Sequence, residues 1–152
     1  MDIEIRPASA DDGPAAQAIV ELAFANRIAR IGRRPAPMDQ DYVAEFAKGD
    51  AWAAVRDGEV LGFVLVRPRA DHLLVDTIAV SPGAHGAGIG TRLLERAERH
   101  AVELGLPEVR LYTNEAMTEN LAWYARRGYA ETHRRESDGF RRVHFAKRVA
   151  GG

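Results

Sequence analysis

The chain has 152 residues, which suits one domain with a single core and is too short for two well-packed ones. Hydrophobic residues make up 46% and charged residues 28%, a globular composition that excludes disorder, and no apolar run approaches the roughly 20 residues of a membrane helix. The net charge of -1 gives no reason to expect nucleic acid as a partner. The absence of cysteine excludes disulfides, thiolate metal sites and a cysteine nucleophile. A chain without disulfides is compatible with the cytoplasmic location that we expect.

The first half of the chain predicts strands and helices joined by short turns. The turn Asp57-Gly58-Glu59 lies between two apolar runs and is typical of a β-hairpin. The predicted elements are a strand over residues 3–7, a helix over 11–25, a loop or irregular helix over 26–37, a short helix over 39–48, and strands over 51–55, 60–66 and 72–80.

The second half predicts a helix, a strand, another helix and a final hairpin. The first of these helices ends at Gly105 and is expected to bury Leu93, Leu94, Ala97, Ala101 and Leu104. The strand over 109–113 follows a helical crossover and should therefore pair in parallel with the strand over 72–80. Asn114 can cap the next helix, and two strands flank Asp138-Gly139 in a hairpin through which two copies could dimerise. Residues 1–152 thus predict one α/β domain with a mixed, largely antiparallel sheet of about seven strands and helices on both faces.

A glycine-rich turn between residues 80 and 94 is the most informative segment, because it joins an apolar strand to an amphipathic helix. Free N–H groups at a helix N-terminus bind anions, and Gly86, Gly88 and Gly90 let a phosphate approach the main chain. A P-loop is excluded because Ile89 and Gly90 follow Gly88 where Lys and Ser or Thr are needed. The dinucleotide fingerprint is excluded because Thr91 stands where it requires glycine.

Two segments carry a family resemblance. The first comprises Ile78-Ala79-Val80-Ser81-Pro82, His85-Gly86-Ala87-Gly88-Ile89-Gly90 and Leu93-Leu94, and it resembles the acetyl-CoA motif of the GNAT superfamily of N-acetyltransferases, whose core reads Q/R-x-x-G-x-G/A. The second, Leu111 to Tyr129, resembles the family's strand and helix ending in Y-x-x-x-G-F/Y. The likeness covers nearly the whole chain and implies a GNAT-like fold. His85 stands where the family usually has Gln or Arg, so we expect altered phosphate contact without loss of binding.

The resemblance implies that acetyl-CoA is the co-substrate, and we expect no metal. It implies that main-chain groups of Ile78, Ala79 and Val80 pair with the pantetheine arm, and that an amide there polarises the thioester carbonyl. It makes Tyr124 the general acid that protonates the CoA thiolate, with Asn120 as a polar contact on the same helical face. The positions implied for the pyrophosphate are His85, Gly86, Ala87, Gly88, Ile89, Gly90 and Thr91.

An amine acceptor arrives protonated, so a base or a water chain must remove a proton. Asp76 is the first candidate, because it is an acid in an apolar strand two residues before Ile78 and would share its side of the sheet; His72, also in phase, is the second. The arginines at 27, 30, 33, 34, 134, 135, 141 and 142 could favour an acidic acceptor or could be solvated surface charges.

The favoured function is direct transfer of an acetyl group from acetyl-CoA to a primary amine of a small molecule or protein. The alternative is a non-catalytic module that binds CoA or acyl-CoA as a sensor. A CoA-independent function is the third hypothesis.

Overall fold

A computed structural model of the protein describes residues 2–149, and within them seven strands form one sheet. Their spatial order is β1-β2-β3-β4-β5-β7-β6. The strands are β1 (Glu4–Pro7), β2 (Ala51–Arg56), β3 (Glu59–Pro68), β4 (Leu73–Val80), β5 (Glu108–Asn114), β6 (Ala130–Ser137) and β7 (Phe140–Arg148). β4 and β5 pair in parallel and the other neighbours pair antiparallel, which confirms the predicted mixed sheet.

Along the chain, the helices occur in the connections between strands, and α4 forms the crossover from β4 to β5. They are α1 (Gly13–Phe24), α2 (Arg27–Ile31), α3 (Tyr42–Ala47), α4 (Ile89–Glu103) and α5 (Thr118–Arg126), with short 3-10 helices at Ala10–Asp12, Ala36–Asp39 and Pro82–Ala84. In the part of the chain from residue 2 to 149, no helix combines the length and the apolar character needed to cross a membrane.

Each face of the sheet carries its own hydrophobic cluster, so the prediction of helices on both faces is confirmed. On one face, Leu93 and Leu94 of α4 pack with Tyr124 of α5 against the sheet. On the other face, α1 and α3 cover the sheet, and Phe63 of β3 makes edge contacts with the rings of Tyr42 and Phe46 at 5.1 and 5.4 Å between centroids. The two clusters hold the sheet between helical layers, as in other α/β sandwiches.

Two local predictions differ from the structure. Leu104 was expected in the core but is 46% exposed, because α4 ends at Glu103 and Gly105 turns the chain with φ of +75°. Asn114 does not cap α5, which begins at Thr118. Its Oδ1 instead accepts a hydrogen bond of 2.9 Å from the amide of Ala116, within the turn that precedes the helix.

The parallel pair β4 and β5 separates soon after it forms. Pairing extends from Leu73–Val75 to Val109–Leu111, and beyond it β4 pairs with β3 alone while β5 pairs with β7 alone. A β-bulge adds to the irregularity, because Leu65 and Val66 of β3 oppose Thr77 and Val75, which leaves Asp76 without an opposing residue. The C-terminal ends of β4 and β5 therefore form the two sides of a cleft.

Close packing of α4 on β3 depends on Gly62. A Cβ atom there would lie 2.8 Å from the carbonyl oxygen of Ala79 and 3.3 Å from the side chains of Ile89 and Leu93. We expect Gly62→Ala to lower the free energy of unfolding by about 1–3 kcal/mol through overpacking, measured by urea denaturation. The control is Gly83→Ala, whose Cβ would meet no atom within 4 Å and should change stability by less than about 0.5 kcal/mol. Equal effects of the two variants would contradict the prediction.

Candidate functional site

The cleft between β4 and β5 opens into a cavity of about 820 Å³. Its walls come from the C-terminal half of β4, the glycine turn, the first turn of α4, the end of β5, and α5. Residues 23–40 contribute another side, through the end of α1, α2 and the 3-10 helix that follows, and Asp138, Phe140 and Arg142 line the cavity from the β6–β7 hairpin. The cavity thus brings together segments from both halves of the chain.

The cavity collects most of the residues expected from the sequence. The predicted residues that line it are Asp76, Ile78, Ala79, Val80, His85, Gly86, Gly88, Ile89, Gly90, Thr91, Asn120 and Tyr124. Ala87 is exposed and does not line the cavity. His72 does not line it either and lies before the first residue of β4, where its Nδ1 is 2.7 Å from Oδ1 of Asp71. The structure therefore removes His72 as a candidate base, because the cavity lies at the opposite end of its strand.

The three glycines of the turn have two different roles. Gly86 and Gly88 have φ values of +90° and +74°, a region that L side chains rarely adopt, while a Cβ on either would meet no atom within 4 Å. Gly90 is helical, and its Cβ would lie 3.4 Å from the ring of Trp123. The backbone conformation thus favours glycine at the first two positions, whereas at the third a Cβ would make an ordinary van der Waals contact with α5.

The start of α4 presents unpaired amides beside this turn. The first bond inside the helix runs from the amide of Arg92 to the carbonyl of Gly88, at 3.1 Å. The N–H groups of residues 89–91 precede it and have no acceptor within the helix. Together with the positive end of the helix dipole, they form a site suited to an anion.

Arg127 adds a positive charge at the same place. Its Nε and Nη2 donate hydrogen bonds of 3.1 and 2.9 Å to Oγ1 of Thr91, and its guanidinium lies 3.7 Å from the ring centroid of Trp123. The guanidinium is therefore held against the first turn of α4, next to the free amides. Sequence reasoning missed this arginine, because the separation of residues 91 and 127 carries no signal that two helices meet there.

The edge of β4 that faces the cavity has no neighbouring strand. Ile78, Ala79 and Val80 pair with β3 on one side, while β5 has already diverged on the other. Their side chains alternate between the two hydrophobic clusters, with Ala79 on the α1 side and Ile78 and Val80 on the α4 side. Side-chain packing and free main-chain groups thus coexist in this segment, as a strand geometry allows.

Tyr124 occupies an apolar part of the cavity wall, with its ring 5.1 Å from that of Trp123 and 5.9 Å from that of Phe145. Burial raises the pKa of Tyr124 to about 12, and the nearby positive charge of Arg27 opposes that shift. The hydroxyl is therefore protonated at neutral pH. Asn120 lines the same cavity, and its Nδ2 donates a hydrogen bond of 3.3 Å to Oγ1 of Thr113.

Asp76 lines the cavity within a polar network. Nε of Arg67 donates to its Oδ2, and Nε2 of Gln40 donates to its Oδ1 at 3.4 Å. Arg67 also donates to Oε2 of Glu45 at 2.9 Å, and this hydrogen bond lowers the pKa of Glu45. The argument that Asp76 shares a side of the sheet with Ile78 is wrong, because the bulge at Asp76 breaks the alternation and turns its carboxylate towards Arg67 and α3.

Residues 26–37, here called the arginine segment, are held across the cavity by several contacts. Arg30 binds Glu119 through two hydrogen bonds of 2.5 and 3.0 Å, which lower the pKa of Glu119 to about 2. Arg33 donates a hydrogen bond of 3.3 Å to the carbonyl oxygen of Asp138, and its guanidinium lies 4.3 Å from the ring centroid of Phe140. These contacts join the segment to α5 and to the β6–β7 hairpin. Within residues 2–149, no group of three or more acids or histidines is arranged to hold a metal ion.

Comparison with known proteins identifies the family. Residues 16–129 match the Acetyltransferase (GNAT) family. The chain belongs to this family. The chain is also 37% identical over 82 residues to a mycothiol acetyltransferase of Streptomyces avermitilis, an alignment that covers 53% of this chain and 26% of that protein. It thus spans about a quarter of the length of the curated relatives that it matches.

Solved structures agree on the GNAT fold. The PaiA N-acetyltransferase of Thermoplasma acidophilum, solved in complex with coenzyme A, has a TM-score of 0.80 at 21% identity and covers 98% of this chain and 100% of its own. Ard1 of Thermoplasma volcanium has a TM-score of 0.79 at 18% identity, with 98% and 99% covered. The GNAT resemblance and the fold that it implied are therefore confirmed.

The positive-φ glycines of this turn offer a test of the anion site. We expect Gly88→Ala to weaken acetyl-CoA binding about tenfold, because a left-handed alanine costs about 1–2 kcal/mol and moves the adjacent amides. Isothermal titration calorimetry with acetyl-CoA measures the change. Gly83→Ala is the matched control, since Gly83 has neither a positive φ nor a place in the cavity wall. Unchanged affinity in a folded Gly88→Ala variant would contradict the assignment of this turn.

Proposed function

We propose that this GNAT protein transfers an acetyl group from acetyl-CoA directly to a primary amine. The observation that carries the proposal is that a single cavity combines free amides at the glycine turn, an unpaired strand edge and a protonated tyrosine. These are the three features needed to bind a pyrophosphate, to hold an extended arm and to protonate a leaving thiolate. The coenzyme A in the PaiA structure supports this assignment of the donor.

The donor would lie along the path that these features define. Its pyrophosphate would bind the main chain from Gly86 to Thr91, with Arg127 neutralising part of the charge. His85 lines the cavity beside this turn and would add one side-chain contact to a site made mostly of amides. The pantetheine arm would pair with the open edge of β4. An amide near Ile78 would then polarise the thioester carbonyl as an oxyanion site.

The reaction needs no covalent enzyme intermediate. The amine nitrogen attacks the thioester carbonyl, the new C–N bond forms, and the C–S bond breaks as the thiolate leaves. Tyr124, whose hydroxyl is protonated at neutral pH, donates its proton to the thiolate and regains a proton from solvent before the next turnover. The proton lost by the amine goes to a base in the cavity or to a water chain.

Asp76 is our candidate for that base. Two other carboxylates line the cavity, Glu119 in α5 and Asp138 at the tip of the β6–β7 hairpin, where its side chain is 84% exposed, and neither lies in β4. Asp76 lies in β4 itself, next to the segment that would hold the thioester. Because Arg67 and Gln40 already donate to its oxygens, an amine or a bridging water would have to share those oxygens with them.

The first experiment separates an enzyme from a sensor. Calorimetry with acetyl-CoA measures donor binding, and a CoA-release assay over a panel of primary amines measures transfer. We expect micromolar binding, on the order of 1–100 μM, together with amine-dependent CoA release. Binding without release for every amine would favour the sensor function instead.

Tyr124→Phe tests the general acid. We expect kcat to fall about 100-fold or more while the Kd for acetyl-CoA stays within about twofold, because the ring remains and only the proton donor is lost. In the unmodified protein, ionisation of Tyr124 should cause no loss of rate below about pH 11. Tyr129→Phe is the control, since that buried hydroxyl binds Glu98 at 2.8 Å and lies outside the cavity wall. Equal losses of affinity and rate would remove Tyr124 from the acid role.

Asp76→Asn tests the base. We expect kcat/KM to fall about tenfold or more at neutral pH and to recover at a pH above the amine's own pKa, where solution supplies the free amine. Glu45→Gln is the matched control, because it disturbs the same arginine from a position outside the cavity. A loss in Asp76→Asn that stays constant with pH, or that Glu45→Gln reproduces, would assign Asp76 a structural role.

A further inference from the structure

Arg27 differs from the other arginines of the arginine segment. It lines the cavity beside Tyr124 and Glu119, and its guanidinium lies 4.1 Å from the ring centroid of Phe24. No hydrogen bond or ion pair links its guanidinium to any other residue between 2 and 149, and burial lowers its pKa. The side chain is partly buried and faces the cavity, so its guanidinium is free to bind an anion that enters there.

The neighbouring charges cannot serve as that anion. Glu119 is the nearby carboxylate, but Arg30 already engages both of its oxygens. Arg34 of the same segment is satisfied by Glu21 and Asp39, each at 2.6 Å, and takes no part in the cavity wall. The arginine segment therefore places one guanidinium without a polar partner in the cavity wall, and its other arginines lie outside that wall.

A second arginine faces the cavity from the hairpin but has less need of a ligand. The guanidinium of Arg142 lies 4.6 Å from the ring centroid of Tyr112. It donates a hydrogen bond of 3.2 Å to Oγ of Ser137 and lies 3.7 Å from the carboxylate of Asp138. Its positive charge adds to the attraction for an anion without creating a second unpaired site. Arg126 lines the cavity as well and has no hydrogen bond or ion pair among residues 2–149, but it is exposed at the end of α5. Among the partly buried arginines of the cavity wall, Arg27 is the one without a polar partner in the described residues, and one such guanidinium matches a singly charged carboxylate more closely than a dianionic phosphate.

We propose that Arg27 binds a carboxylate of the acceptor, so that the acceptor is a primary amine that also carries a carboxylate, as an amino acid does. The inference rests on the proposed acetyl transfer and identifies its substrate class. Arg27 and Tyr124 share the same part of the cavity, so a carboxylate on Arg27 would hold the amine close to the reacting thioester. Arg27 then acts as the residue that selects the acceptor.

The test compares acids with their uncharged amides. CoA release is measured with glycine, β-alanine, γ-aminobutyrate and the common L-amino acids, each beside its carboxamide, in the unmodified protein, Arg27→Gln, Arg27→Lys and Arg34→Gln. We expect kcat/KM for at least one acid to exceed that for its amide about tenfold or more. Arg27→Gln should abolish this preference and Arg27→Lys should restore part of it. Arg34→Gln should leave the ratio unchanged.

Several outcomes would overturn the assignment. One is a lack of preference for any acid over its amide, and another is an equal preference for O-phosphoethanolamine. A loss of kcat in Arg27→Gln that is the same for acids and amides would mean that Arg27 acts on Tyr124 instead. A matching loss of acetyl-CoA affinity would place Arg27 in the donor site.

A binding measurement keeps this inference separate from the catalytic proposal. The complex with CoA is titrated with N-acetyl amino acids and their amides, which requires no turnover. Tighter binding of the acids that disappears in Arg27→Gln supports the carboxylate site even if no amine is acetylated, and the catalytic proposal would then fail alone. CoA release with no preference for acids, together with equal binding of acids and amides, would leave the catalytic proposal intact and overturn this inference.

Discussion

The separation of β4 from β5 is the constraint on which the rest of the structure depends. The two strands share hydrogen bonds only over Leu73–Val75 and Val109–Leu111, so the remainder of each strand has one unpaired edge. Unpaired strand edges expose main-chain donors and acceptors that must find partners in water or in a ligand. Here β3 and β7 stabilise the diverging halves from their other sides, and α4 and α5 cover the strands on one face. The sheet thus remains continuous while it opens a cavity at its centre.

Charges around this cavity are mostly matched in pairs, and the exceptions indicate where ligands would bind. Arg30 and Arg33 connect the arginine segment to α5 and to the β6–β7 hairpin, and Arg67 connects β3 to α3. Arg127 is held by the hydroxyl of Thr91 next to free helix amides, and Arg27 has an aromatic ring as its neighbour. A folded protein tolerates such charges where an incoming anion lowers their energy. These two arginines are therefore the basis for the donor and acceptor assignments proposed above.

Much of the fold could be predicted because its signals are local. The strands were predicted from alternating apolar residues and from the turn at Asp57-Gly58, and the parallel pair was predicted from the helical crossover. The resemblance to the GNAT family came from the glycine turn and the segment that contains Tyr124. The failures also have a common physical origin. Strict alternation assigned Asp76 to the face of Ile78, but one bulged residue inverts that relation, and phase alone made His72 a candidate although it lies at the wrong end of β4.

The sequence by itself determined the elements, their order and the conformation of the glycine turn, because hydrophobic periodicity and positive-φ glycines act within a few residues of the chain. Only the tertiary structure decided where β4 leaves β5, which side Asp76 faces, and which arginines are paired. Arg127 meets Thr91, and Arg30 meets Glu119, across 36 and 89 positions of the chain. Such contacts depend on how helices and strands pack in three dimensions, so no spacing in the sequence predicts them. For the same reason, Arg27 could be recognised as a partly buried arginine without a polar partner among residues 2–149 only after the partners of the others were known.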